Sequence, residues 1–198
     1  MSKSLLISCS LAVVLAAGGY YVYQTQYLPS ELRVAATRGD LARVQELIGR
    51  GVDINRPLGL PSNSALNRAI EGGNAAVVKA VLDAGANVNA IGESGMTPLM
   101  FAAFFGNASI VDLLIKAGAR TDTVEPRHNN TALLIAVRKG HLETVETLIR
   151  GRADPNQGAE RGNAPLCHAQ ALGRSDIEQV IRNAGGKCGP HISAHSPR

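Results

Sequence analysis

The side chains best suited to chemistry lie near the C-terminal end. Cys188-x2-His191-x3-His195 has ligand-like spacing, and Cys167-His168 lies upstream of it. Thiolate and imidazole are the donors that a tetrahedral zinc site takes. His191 and His195 fall in Gly189–Arg198, which reads as a frayed tail that cannot fix ligand geometry. No metal ligand is therefore assigned. Cys167 and Cys188 have another use. In an oxidising compartment they can pair and close a loop of about 20 residues, worth about 3 kcal/mol. Two buried thiols are the alternative. With Cys9 they make three cysteines, too few for a disulfide scaffold. There is no Walker-type phosphate loop and no G-x-S-x-G, so no catalytic residue and no cofactor site is assigned. A non-enzymatic role is expected.

A second kind of chemistry is apolar recognition. All three phenylalanines, Phe101, Phe104 and Phe105, lie in one stretch, Thr97-Pro98-Leu99-Met100-Phe101-Ala102-Ala103-Phe104-Phe105-Gly106, and tryptophan is absent. Thr97 is a helix cap, Pro98 suits the first helical position and Gly106 is a stop. The core must be built from Ala, Leu, Val and Ile. Net charge is a mild +4 with no dense Lys/Arg run, so a nucleic-acid partner is not expected.

The elements that position these residues begin at the N-terminus. After residues 1–4, a cytoplasmic stub, an uncharged stretch of 19 residues runs from Leu5 to Tyr23. A membrane-spanning helix needs about 20 such residues. Tyr20, Tyr21, Tyr23 and Tyr27 follow the apolar centre, as suits a membrane–water interface. The favoured reading is an uncleaved signal-anchor over 5–23 with a linker over 24–28, which places the rest outside the cytoplasm. A cleaved signal peptide is the alternative, with small residues at Ala16-Ala17-Gly18 and Ala17-Gly18-Gly19. Leu6-Ile7-Ser8-Cys9 looks like a lipobox but has too short an apolar run before it.

From Leu28 onward the chain repeats itself. Glycines 39, 73, 106, 140 and 173 are spaced by 34, 33, 34 and 33 residues. Four residues before each stands an alanine: Ala35, Ala69, Ala102, Ala136 and Ala169. Eight after each stands an aliphatic: Leu47, Val81, Leu114, Leu148 and Ile181. Each unit reads as two short helices and a connector; in the third these are Thr97–Phe105 and about Ser109–Lys116. Gly118 stands where a left-handed residue is needed. In the fourth unit that place holds Arg152, which costs about 1 kcal/mol if the conformation is kept; otherwise Gly151 takes the role. The expected fold is an all-α solenoid of about five helix-turn-helix repeats with short hairpin or loop connectors, preceded by an N-terminal apolar helix. The repeat domain spans 29–188, with repeats at about 29–59, 60–92, 93–125, 126–159 and 160–188 and a tail at 189–198.

This pattern resembles the ankyrin repeat, whose 33-residue period carries T-P-L-H-x-A. The matches are Thr97-Pro98-Leu99-Met100-Phe101-Ala102, Thr131-Ala132-Leu133-Leu134-Ile135-Ala136, Ala164-Pro165-Leu166-Cys167-His168-Ala169 and, more loosely, Ser64-Ala65-Leu66-Asn67-Arg68-Ala69. The chain is similar to small bacterial envelope proteins of that family. The resemblance implies that His141 is a turn-stabilising histidine, not a ligand or base. Asn129-Asn130-Thr131 and Asn107-Ala108-Ser109 read as turn and cap residues before glycosylation acceptors.

The resemblance also implies a concave face built from the first helices and hairpin tips, which in the family binds proteins. The residue before each repeat alanine, and the two before each repeat glycine, are expected to face that groove. In the central repeat these are Phe101, Phe104 and Phe105, with Phe101 the first candidate to pack back. Ile135 extends the patch, and Arg38, Arg68, Arg138 and Lys139 flank it. An aromatic centre with a basic rim suits a protein partner with apolar anchors and acidic flanks. The tips Arg56–Pro61 and Glu125–His128 would add contacts. A monomer is expected. The role expected is a protein-interaction module shown outside the cytoplasmic membrane, or a neutraliser or regulator of an envelope enzyme or toxin, with a metal or redox protein as the third and weakest reading.

Overall fold

A computed structural model describes residues 27–56, 64–92, 94–158 and 164–188. The proposed anchor 5–23, His191, His195 and most of the tip Arg56–Pro61 lie outside them. Among the described residues, ten short helices carry the fold: α1 (Leu28–Arg38), α2 (Leu41–Gly49), α3 (Ala65–Gly72), α4 (Ala75–Asp83), α5 (Pro98–Phe105), α6 (Ala108–Lys116), α7 (Ala132–Lys139), α8 (Leu142–Arg150), α9 (Pro165–Ala171) and α10 (Ser175–Asn183). No described helix is long and apolar enough to cross a membrane. The expected apolar N-terminal helix therefore has no counterpart among them.

Each helix begins and ends for local reasons. Ser64, Thr97 and Thr131 accept the N–H of Asn67, Met100 and Leu134 at the starts of α3, α5 and α7. Asp40, Asn74 and Asn107 cap α2, α4 and α6 in the same way. A side-chain oxygen there satisfies an amide that the first turn leaves unpaired. Gly106 closes α5 at φ 76, a conformation that costs other residues a clash with the carbonyl.

The repeat places the helices in two layers. First helices α1, α3, α5, α7 and α9 stack successively, as do second helices α2, α4, α6, α8 and α10. Between the layers lie the repeat alanines and aliphatics: Ala69, Ala102, Ala136, Leu47, Val81, Leu114, Leu148 and Ile181 are fully buried. Gly72 lets α3 approach α1 closely, since a Cβ there would lie 2.5 Å from the Thr37 carbonyl oxygen.

Polar side chains tie the repeats together along two rows. Asn74 donates to the Gly39 carbonyl at 3.0 Å and Asn107 to the Gly73 carbonyl at 3.3 Å. On the connector side Asn55 donates to the Gly85 carbonyl and accepts from the Asn87 amide. Asn89 does the same with Gly118 and Arg120, and Asn156 with Gly185 and Lys187. The matching residue between the third and fourth repeats is Asp122. A carboxylate has no N–H to donate to the facing carbonyl. The described residues show no such bridge at that seam.

Arg152 takes the left-handed conformation at φ 66, and Gly151 does not. The first of the two expected outcomes is the one adopted. The connector from the third to the fourth repeat forms a tight tip. The Glu125 amide donates to the Asn130 carbonyl at 2.8 Å, and Asn129 turns the chain at φ 54. Glu125 is buried, and its carboxylate accepts the amides of Arg127 at 2.6 Å and His128 at 2.9 Å. The sequence placed Glu125 among the contact residues of the tip; it is buried and builds the tip instead. Pro126, Arg127 and His128 are the exposed part.

Candidate functional site

The short α5 helix sets the site. Leu99, Met100, Ala102 and Ala103 point into the core, which leaves positions 101, 104 and 105 to the other face. Phe104 and Phe105 are 42% and 45% exposed, far more than large aromatics need be in a chain with a filled core. Their rings meet edge to face with centroids 5.5 Å apart. Phe101 is half-buried and packs against the core.

The next repeat supplies the other wall. Lys139 at the end of α7 holds its ammonium 4.0 Å from the Phe104 ring centroid, an attraction of cation to ring face. Arg138 donates to the Asn130 side-chain oxygen at 3.3 Å, which joins the wall to the tip loop. A cavity of about 400 Å³ opens between α5 and α7, lined by Met96, Phe104, Asn130, Ile135, Arg138 and Lys139. Ile135 is only 9% exposed, because it sits in the seam between two helices. It forms the floor of the cavity and does not extend the exposed patch as expected from its position.

The basic flank is also less uniform than the sequence suggested. Arg38, Arg138 and Lys139 are exposed, whereas Arg68 is half-buried and pairs with Glu71 on its own helix. Arg33 was not singled out, yet it lines a second cavity of about 360 Å³ with Ser30, Val34, Thr37, Arg38 and Arg68. Burial, then the charge of Arg68, lower the pKa of Arg33. Burial, then the charge of Arg138, hold His168 below the ordinary 6.5, which favours its neutral form. Met96 and Asn130 were also missed. An apolar residue just before a capping threonine is a signal that could have found Met96.

His141 brackets the site from behind. Its Nε2 lies 3.2 Å from the Phe104 carbonyl oxygen, and its ring covers Gly106 so closely that a Cβ there would lie 2.5 Å away. It links the third repeat to the fourth, as the asparagines do at earlier seams. Cys167 and Cys188 are paired, with Cα atoms 5.3 Å apart, and tie α9 to the segment after α10. No group of three or more His, Cys, Asp or Glu among the described residues is placed to hold a metal.

Residues 32–125 match a family model of three ankyrin-repeat copies, and residues 128–159 match that of a single ankyrin repeat. The Ankyrin repeat and KH domain-containing protein mask of Drosophila melanogaster is 38% identical over 105 residues, which is 52% of this chain and 3% of that protein. The Ankyrin repeat, SAM and basic leucine zipper domain-containing protein 1 of Equus caballus is 30% identical over 118 residues, 58% of this chain and 25% of that protein. The ankyrin repeat protein YahD of Escherichia coli (strain K12) is 29% identical over 153 residues, 77% of this chain and 75% of that protein. The chain thus spans a small part of the first two and most of the third. Ankyrin repeats are in general protein-interaction modules. The matched family models together cover more than half of the sequence, and the chain belongs to the ankyrin-repeat family.

Proposed function

We propose that the chain is a non-enzymatic module that docks a partner protein on its first-helix groove, centred on the third repeat. One observation carries this reading: Phe104 and Phe105 stay exposed beside Lys139 and an apolar-floored cavity. Exposed aromatics around a pocket are what anchors of an interface look like. Arg38, Arg138 and Lys139 suit a partner with acidic flanks, and Arg127 and His128 on the tip are placed to add contacts. The chain acts as a monomer, with no nucleic acid and no cofactor involved.

The uncharged run Leu5–Tyr23 supports anchoring in a bacterial cytoplasmic membrane with the repeats in the periplasm, or release there after cleavage. The pairing of Cys167 with Cys188 favours such an oxidising compartment. There the same groove would serve to regulate or neutralise an envelope enzyme or toxin. Protease added to spheroplasts should digest the repeats while sparing cytoplasmic markers.

The docking test is the double variant Phe104→Ala/Phe105→Ala in the tagged full chain, recovered from its host by cross-linking. Burying each phenylalanine contributes about 1.5–3 kcal/mol, so partner recovery should fall by about tenfold or more. Far-UV circular dichroism should be unchanged. Glu146→Ala, on the second-helix layer, is the control and should keep the partner. Equal recovery from both variants overturns the reading.

A further inference from the structure

Two cavities occupy equivalent places in the repeat. One lies between the first helices of the third and fourth repeats, and the other between those of the first and second. Both are lined by the residue two before a repeat glycine, Phe104 or Thr37, and by the residue before the next repeat's alanine, Ile135 or Arg68. They therefore sit on the same face, two repeats apart. Their chemistry differs. The first is walled by Phe104 with Ile135 as its floor. The second holds Arg33 and Arg68 together, with Arg38 at its edge.

Among the described residues, no carboxylate lines the second cavity. The Nη1 of Arg33 is buried and has no hydrogen-bond partner among the described residues. Arg68 shares its charge with the exposed Glu71. The hydroxyls nearby are committed: Ser30 donates to the Tyr27 carbonyl at 2.6 Å and Thr37 to the Arg33 carbonyl at 3.0 Å. Arg33 lines the cavity with Arg38 and Arg68, and a carboxylate matches the fork of a guanidinium. Stacked helices lie about 8–10 Å apart, so the two cavities are separated by about 16–20 Å. An extended peptide rises about 3.3 Å per residue and spans that distance in about five or six residues.

We propose that the groove recognises one extended segment of its partner at two points: a large apolar side chain in the Phe104–Ile135 cavity and an Asp or Glu carboxylate on Arg33, about five or six residues away. This rests on the groove-docking reading and adds the chemistry and spacing of the bound segment. The two-repeat separation acts as a ruler. A segment with the same two residues closer together or further apart satisfies one cavity and leaves the other open.

The test uses synthetic peptides on the folded full chain. Each carries one Phe and one Glu in a Gly/Ser/Asn background, in both orders, separated by about two, about five or six, or about ten residues. Binding is followed by NMR titration of the Ile135 methyl and Arg33 Nε–H signals. In at least one order, the intermediate spacing should move both signals with one dissociation constant, about tenfold tighter than the others. The other spacings should move the Ile135 signal alone. Arg33→Gln should abolish the spacing preference and keep the Ile135 response. Equal affinity at every spacing, or an Arg33 signal that no peptide moves, overturns the proposal. If the double phenylalanine variant still loses its captured partner in that case, the docking reading stands and only the ruler falls.

Discussion

Arg152 is the plainest misfit in the chain. It holds a left-handed conformation at φ 66 where four other repeats use glycine. A side chain in that region costs about 1–2 kcal/mol, partly offset by glycine's greater freedom in the unfolded chain. Arg152→Gly should therefore stabilise by about 0.5–1 kcal/mol and raise the melting midpoint by a few degrees. Glu125 makes the opposite prediction for acid. Burial raises its pKa, but the amides of Arg127 and His128, and then His128's side chain, outweigh this and hold it below the usual 4.5. A carboxyl with a depressed folded value stabilises above its unfolded value and loses that contribution as pH falls through the folded one. The Arg127 and His128 amide resonances should shift together as pH drops below about 4.5, and Glu125→Gln should remove that titration. Several site residues were legible from spacing: the positions of Phe104, Phe105 and Lys139 follow from the repeat glycines. The fate of Ile135 was not, because its burial depends on how closely α5 and α7 meet. Arg33 was not legible as a cavity residue, since that cavity forms only where Arg68 of the next repeat meets it.

At the scale of elements, the cysteine pair staples the last repeat. It closes the chain between Cys167 on α9 and Cys188 after α10, a separation of 21 residues. Closing a loop of that size stabilises by about 3 kcal/mol, by limiting the unfolded chain. Cys188→Ser should lower the melting midpoint, reductant should do the same to the parent chain, and the variant should ignore reductant. A parent chain indifferent to reductant would mean free thiols. Helix positions were legible for a physical reason: caps and stops are local, so Ser64, Thr97, Thr131 and the repeat glycines announce them. The second helix of the third repeat begins at Ala108, one residue before the expected start, because Asn107 supplies the cap. The tip at Glu125 was not legible, since its carboxylate works inward on two backbone amides that only the folded loop brings to it.

For the whole molecule, stacked repeats contact only their neighbours, so stability is a sum of repeat and seam contributions. The seams are not equal. Asn55, Asn89 and Asn156 bridge three of them, while Asp122 leaves the fourth without that bridge. Unfolding should therefore split there first, giving two cooperative units that open at different free energies. Native-state hydrogen exchange should show α1–α6 and α7–α10 as separate groups. Asp122→Asn should add about 1 kcal/mol at the seam and merge them into one. The same seam carries the Phe104 cavity, so the seam that lacks the asparagine bridge is also the place where a partner would grip. A ligand bound across it would act as the missing clasp. Its binding should make the two halves exchange and melt as one.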